Sequence, residues 1–174
     1  AEKFFNIKCP AGDLAPRVAV LVTTVRALKL HGGANRRGLT EEDSESLRQG
    51  LPNMEGHIEN IQKFGVPVVV AINRFPTDTD TEVEEVRRFA ESMGVPCSVS
   101  TVFSEGGQGG EELAGSVLKV LESGEGSFRP LYEPNAPIRE KIETVACQIY
   151  GANGVDYVGR SKRDLKRLEH SQWR

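Results

Sequence analysis

Residues 66–81 read V-P-V-V-V-A-I-N-R-F-P-T-D-T-D-T, and this stretch constrains the fold more than any other. From Val68 to Ile72 the side chains are apolar, mostly β-branched and without polar alternation. Such a run predicts a strand buried on both faces, as in a parallel sheet covered by helices. The chain then changes character. Asn73-Arg74-Phe75-Pro76 leaves the strand, and Thr79 with Glu82 forms a capping box that opens a helix. In open α/β sheets, ligands bind in the crevice beyond the carboxyl ends of the strands. Residues 73–78 lie at such an end, so Phe75, stiffened by Pro76, is a candidate binding surface. The same local sequence also suits a loop phenylalanine folded back onto the core.

Two further strands are predicted, at 17–22 and 97–102. Between them come helices at 40–48 and 53–64, broken apart by Gly50 and Pro52, and at 82–93. Residues 1–16 read as irregular, with Pro10, Gly12 and Pro16 as breakers. A helix at 111–121 follows the last strand. The fold class is therefore α/β: a parallel sheet with flanking helices, in a P-loop-NTPase-like or Rossmann-like unit. That unit is expected over 1–123. A loop rich in glycine and proline then leads to a C-terminal helical annex over 124–174. The annex contains a helix opened by Pro137, with Ile138, Ile142, Val145 and Ile149 as its apolar stripe. A second helix is expected at 161–170, with Leu165 and Leu168 inward.

Composition narrows the function classes. The 174 residues are 38% hydrophobic and 27% charged, with a net charge of −3, which describes a globular chain with a real core. No basic excess argues for nucleic acid. No apolar run is long enough to span a membrane. Cys9, Cys97 and Cys147 are far apart, and no C-x-x-C occurs, so no metal site is expected and a reducing, cytoplasmic compartment is inferred. The chain opens on Ala1 rather than methionine, as expected of a processed or excised piece.

Several residues could carry chemistry. Phe75 and Phe103 each follow a buried strand in successive βα units, so both loops belong at one sheet edge, where two rings can sandwich a flat heterocycle. Both rings can equally pack inward. Arg26 and Lys29 follow the first strand and Arg74 the second, so they are candidate anion-binding groups, or ordinary solvated side chains. The loop G-G-Q-G-G at 106–110 runs into a helix N-terminus, which favours an anion, but no Walker A sequence occurs in the chain.

These stretches resemble the formate–tetrahydrofolate ligase family, also called 10-formyltetrahydrofolate synthetases. The resemblance rests on A-E-K-F-F-N-I-K-C at 1–9, V-L-V-T-T-V-R-A-L-K-L-H-G-G at 20–33 and H-I-E-N-I-Q-K-F-G-V-P-V-V-V-A-I-N-R-F-P-T-D-T at 57–79. It extends through G-G-Q-G-G at 106–110 and K-I-E-T-V-A-C-Q-I-Y-G-A at 141–152. It implies an enzyme that joins formate to N10 of tetrahydrofolate through formyl phosphate. The enzyme uses ATP and Mg²⁺ with help from a monovalent cation, and is a homo-oligomer when intact. Its substrates are the small molecules formate, ATP and tetrahydrofolate, with no nucleic acid or membrane partner. The family chain is roughly three times longer and carries its Walker A lysine N-terminal to anything here. The resemblance thus implies an internal fragment without the P-loop segment, supplying the folate side and inactive when isolated. It further implies that Phe75, with Pro76 beside it, stacks on the pterin, that Phe103 is the second stacking residue, and that Val99 contacts folate. The family usually has tryptophan where this chain has Phe103, and Ala-Lys or Ala-Glu where it has Ser104-Glu105.

Two other readings compete. Asn73-Arg74 with Asp78 looks like a degenerate guanine-binding motif of a P-loop GTPase, although Asp78 comes two residues too late and Pro76 intervenes. A non-catalytic interaction domain would need an exposed apolar patch.

Overall fold

The computed structural model describes residues 1–170. Strands β1 (Ala19–Thr23), β2 (Val68–Asn73) and β3 (Cys97–Ser100) form an all-parallel sheet in the order β1-β2-β3. The central position of β2 explains its sequence. Strands flank it on both sides and helices cover it, and residues 68–72 are all buried. A polar side chain on either face would be desolvated without a partner. The edge strand β1 alternates instead, leaving Val20 and Val22 exposed.

Helix α1 (Val25–His31) follows β1 directly, with the Thr24 hydroxyl accepting the Ala27 N–H at 3.0 Å. Periodicity did not disclose it, because seven residues are barely two turns. Helix α2 (Ser44–Gln62) is one continuous helix, where two were expected. Pro52 sits on its exposed side. An internal proline costs a helix about 3 kcal/mol. The stripe Leu47, Leu51, Met54, Ile58 and Ile61 is buried along the whole length. At about 1.5–3 kcal/mol per large apolar side chain, that burial outweighs the proline. Gly50 serves a close helix crossing rather than a break. A Cβ there would lie 1.9 Å from the Leu28 carbonyl oxygen of α1, and one at Gly32 would lie 1.7 Å from that of Ser46.

Helix α3 (Asp80–Ser92) opens with the expected capping box of Thr79 and Glu82. After β3 come a single helical turn (Val102–Glu105), a 3₁₀ turn (Gly106–Gly110) and helix α4 (Glu111–Ser123). Ser116 of α4 meets Ser98 of β3, oxygen to oxygen at 2.8 Å. Strand β3 ends at Ser100, two residues earlier than expected.

Two compact units emerge. One is Arg17–Ser127, which holds the sheet and α1 to α4. The other joins Ala1–Pro16 to the chain from Phe128 onward, with helices α5 (Ile138–Gln148) and α6 (Arg160–Glu169). This grouping differs at the N terminus from the expected division into 1–123 and 124–174, whose last four residues lie outside the described ones. The N-terminal segment is helical rather than irregular, with a π-helical turn Phe4–Lys8 and an α-turn Cys9–Ala11. Phe5 and Cys9, one turn apart, are both buried, and the Phe5 ring lies 6.0 Å from that of Phe128. Asn6 Oδ1 accepts the Leu131 N–H at 2.9 Å. Pro10 falls at the start of its turn, where no N–H is needed. In α6, Leu165 is buried as expected, but Leu168 is 42% exposed. No described helix is long and apolar enough to cross a membrane.

Candidate functional site

The register aligns Asn73 of β2 with Ser100 of β3, so both strands end at one edge. The Arg74 N–H donates to the Ser100 carbonyl at 3.1 Å and extends the pairing one residue into the loop. The loop then closes on itself. The Phe75 N–H donates to Asp78 Oδ2 at 2.8 Å, and the Asp78 N–H donates to the Phe75 carbonyl at 3.0 Å. This is a β-turn from Phe75 to Asp78, with Pro76 at the position whose fixed φ favours it. Asp78 is only 4% exposed, and its Oδ1 is buried without a hydrogen-bond partner among the described residues. Its carboxylate therefore faces into the loop, a poor arrangement for clamping a guanine base.

Phe75 is half-buried because Arg26, in the first turn of α1, covers one face of it. The guanidinium carbon lies 4.3 Å from the ring centroid, and Nη2 donates to Thr77 Oγ1 at 2.7 Å. Arg26 Nε is buried without a partner, and Arg26 makes no ion pair among the described residues. Arg74 points elsewhere. Its Nη2 donates to Asp80 Oδ1 at 2.7 Å and reaches the Asp78 carbonyl at 3.3 Å.

Phe103 is held far less. It lies in the single turn after β3 and is 94% exposed. Val99, one rung before the strand end and level with Ile72, is half-buried. The glycine loop beyond has a steric reason for its composition. The Thr101 N–H donates to the Gly109 carbonyl at 3.0 Å, and a Cβ on Gly109 would lie 2.5 Å from the Thr101 carbonyl carbon. Glu111 and Glu112 already place negative charge in the first turn of α4. They oppose an anion at that helix end. The anion expected at this loop thus finds no support in the structure.

The three candidate cations do not form a cluster. Lys29 is 1% exposed, and its ammonium donates to Glu82 Oε1 at 2.8 Å and to the Glu41 carbonyl at 2.7 Å. Glu82 is fully buried. Burial pushes its carboxyl up. The hydrogen bonds from Lys29 and from the Asp43 and Thr79 N–H groups, with the Lys29 charge, outweigh this and hold it below the ordinary glutamate range. Lys29 is thus a structural ion-pair partner, and Arg74 is paired with Asp80. Among the described residues, Arg26 is the member of the trio without a carboxylate partner.

Sequence reasoning missed Thr77 as a tether and weighed Asp78 only as part of a guanine motif. The available signal was an aspartate three residues after the loop phenylalanine with proline between, a pattern that closes turns. Among the described residues, no group of three or more His, Cys, Asp or Glu could hold a metal ion. A family model described as Formate–tetrahydrofolate ligase matches the chain over residues 1–174.

Proposed function

The chain belongs to the formate–tetrahydrofolate ligase family, and we propose that it supplies the folate-binding side of that ligase. The observation that carries this reading is the braced Phe75 at the carboxyl edge of β2, with the loop of Phe103 leaving the neighbouring strand at the same edge. The pterin stacks on Phe75 beside Pro76. Phe103 closes on it from the β3 side, and Val99 contributes apolar contact. The ligase reaction joins formate to N10 of tetrahydrofolate with ATP, Mg²⁺ and a monovalent cation, and its working form is a homo-oligomer in the cytoplasm. Three thiols without a disulfide suit that compartment.

The residues present do not fit the triphosphate. Phosphoryl transfer needs a ring of backbone N–H groups, a lysine and a metal aligned on the transferring group. The chain has no Walker A sequence. Lys29 is locked to Glu82, and the glycine loop packs on Thr101. By this reading the 174-residue chain alone binds folate weakly and does not turn over. Removing a preorganised electrostatic site costs about a thousandfold or more in rate. The test is to supply the purified chain with formate, MgATP and tetrahydrofolate and follow 10-formyltetrahydrofolate. No product is expected, while tetrahydrofolate should bind in calorimetry. Turnover at an ordinary enzymatic rate, from a sample whose mass matches 174 residues, would refute the division of labour.

A further inference from the structure

We propose that Arg26 is a positioning residue for the folate-stacking ring, covering one face of Phe75 so that a flat heterocycle stacks on the face it leaves free. The inference rests on the folate-side reading. Three observations carry it. The guanidinium lies over the Phe75 ring at 4.3 Å, within the range of a cation–π contact. Its Nη2 is tied to Thr77, inside the same turn, at 2.7 Å. It has no carboxylate partner among the described residues, so its charge is not drawn away from the ring.

The physical consequence is twofold. First, the ring is fixed before the ligand arrives, so its rotamer entropy is not lost on binding. Second, a cation on one face of an aromatic ring withdraws electron density from the other. That face then offers a better stack to an electron-rich aminopyrimidine, the chemical class of the pterin. Arg26 comes from α1, Thr77 from the loop after β2, and α1 is anchored to α3 through Lys29 and Glu82. The sheet edge therefore carries a guanidinium–phenyl pair ready to receive a third flat group.

The test is a double-mutant cycle on the 174-residue chain, with tetrahydrofolate binding read by calorimetry and folding by thermal melting. Arg26→Met keeps the apolar stem and removes the charge, and should weaken binding by about five- to tenfold. Arg26→Lys restores the cation and should recover at least half of that loss. In a Phe75→Leu background, Arg26→Met should change affinity by less than about twofold, because its effect passes through the ring. An equal loss in both backgrounds would overturn the proposal and make Arg26 an independent anion ligand. So would a loss that Arg26→Lys does not recover. If wild type and Phe75→Leu bind equally, or the wild type does not bind at all, the folate-side reading itself falls and the inference with it. Should Arg26→Met melt before it can be titrated, Arg26→Lys and Thr77→Val carry the same comparison. Thr77→Val releases the tether with the charge intact and should weaken binding by about twofold or threefold, and no change there would count against positioning.

Discussion

The loops after β2 and β3 start from the same rung of adjacent parallel strands and each presents a phenylalanine, yet they hold it in opposite ways. After β2, the ring is fixed by a closed turn, by Asp78 on its backbone and by Arg26 on its face. After β3, Phe103 stands 94% exposed on one helical turn. Equivalent position in successive βα units thus sets where a residue emerges, not whether it is preorganised. Part of the preorganisation is local, and the rest comes from an element distant in sequence. Arg26 lies 49 residues before Phe75, and the Lys29–Glu82 pair that anchors α1 spans 53. A ring fixed in advance contributes its stacking energy to binding. A free ring must first give up about 0.5–1.5 kcal/mol of side-chain freedom.

The hardest way to break this contrast is to remove the anchor. Glu82→Ala leaves the Lys29 ammonium buried and unpaired and should destabilise the Arg17–Ser127 unit by about 3–5 kcal/mol in urea denaturation. A loss below about 1 kcal/mol would mean that the pair does not anchor α1. The pH dependence follows from the sign of the shift. The folded Glu82 carboxyl is held below its unfolded value, which is about 4.3. Its contribution is therefore complete above that pH and is lost as pH falls through the lower folded value. Glu82→Gln should remove this part of the acid limb.

The crossing of α1 over α2 offers a second lever. Gly50→Ala puts a Cβ 1.9 Å from the Leu28 carbonyl oxygen, and backbone cannot yield as a flexible side chain can. A loss of about 3 kcal/mol is expected, at the upper end of overpacking costs. Hydrogen exchange should show α1 and the Phe75 turn loosened, with the Phe103 turn unchanged. Equal loosening of both turns would erase the contrast.

What could be read from the chain divides along the same line. The β2 strand, the capping box at Thr79 and the shared edge of the two loops are local or periodic features, and all were legible. The run of residues 68–72 announces a central strand because nothing but burial on both faces requires it. The continuity of α2 through Gly50 and Pro52 was not legible, since it depends on what α1 packs against. Nor was the fate of the cations. Arg26, Lys29 and Arg74 look alike in sequence, and only the fold makes one a stacking partner, one a buried ion-pair member and one a mate of Asp80. Phe75 and Phe103 likewise look equivalent until Arg26 arrives from another element.

Binding measurements sharpen the contrast directly. Phe75→Ala should cost about 2 kcal/mol of tetrahydrofolate affinity, roughly thirtyfold, as expected of a rigid aromatic anchor. An unaltered folate affinity would remove Phe75 from the site and leave Arg26 as a brace for the loop alone.

The smallest expected effects belong to Phe103, and they test the comparison most finely. Because the ring is exposed, replacing it touches no packing, so Phe103→Ala and Phe103→Trp should both leave stability within about 0.5 kcal/mol of the parent. Their effects on folate affinity should be opposite in sign. An aromatic stack contributes about 0.5–1.5 kcal/mol beyond area burial. Ordering an exposed side chain takes back a similar amount. What remains is the apolar area covered by the ligand, about 0.7–1 kcal/mol, so Phe103→Ala should weaken tetrahydrofolate binding by only about three- to fivefold, well short of Phe75→Ala. Phe103→Trp enlarges the stacking surface while adding no rotatable bond, so it should tighten binding by about threefold. Titrating the two variants beside the parent chain checks both signs at once. A Phe103→Ala loss as large as that of Phe75→Ala would show that the exposed ring is as well organised in the bound state as the braced one. Preorganisation by Arg26 would then no longer distinguish the two loops.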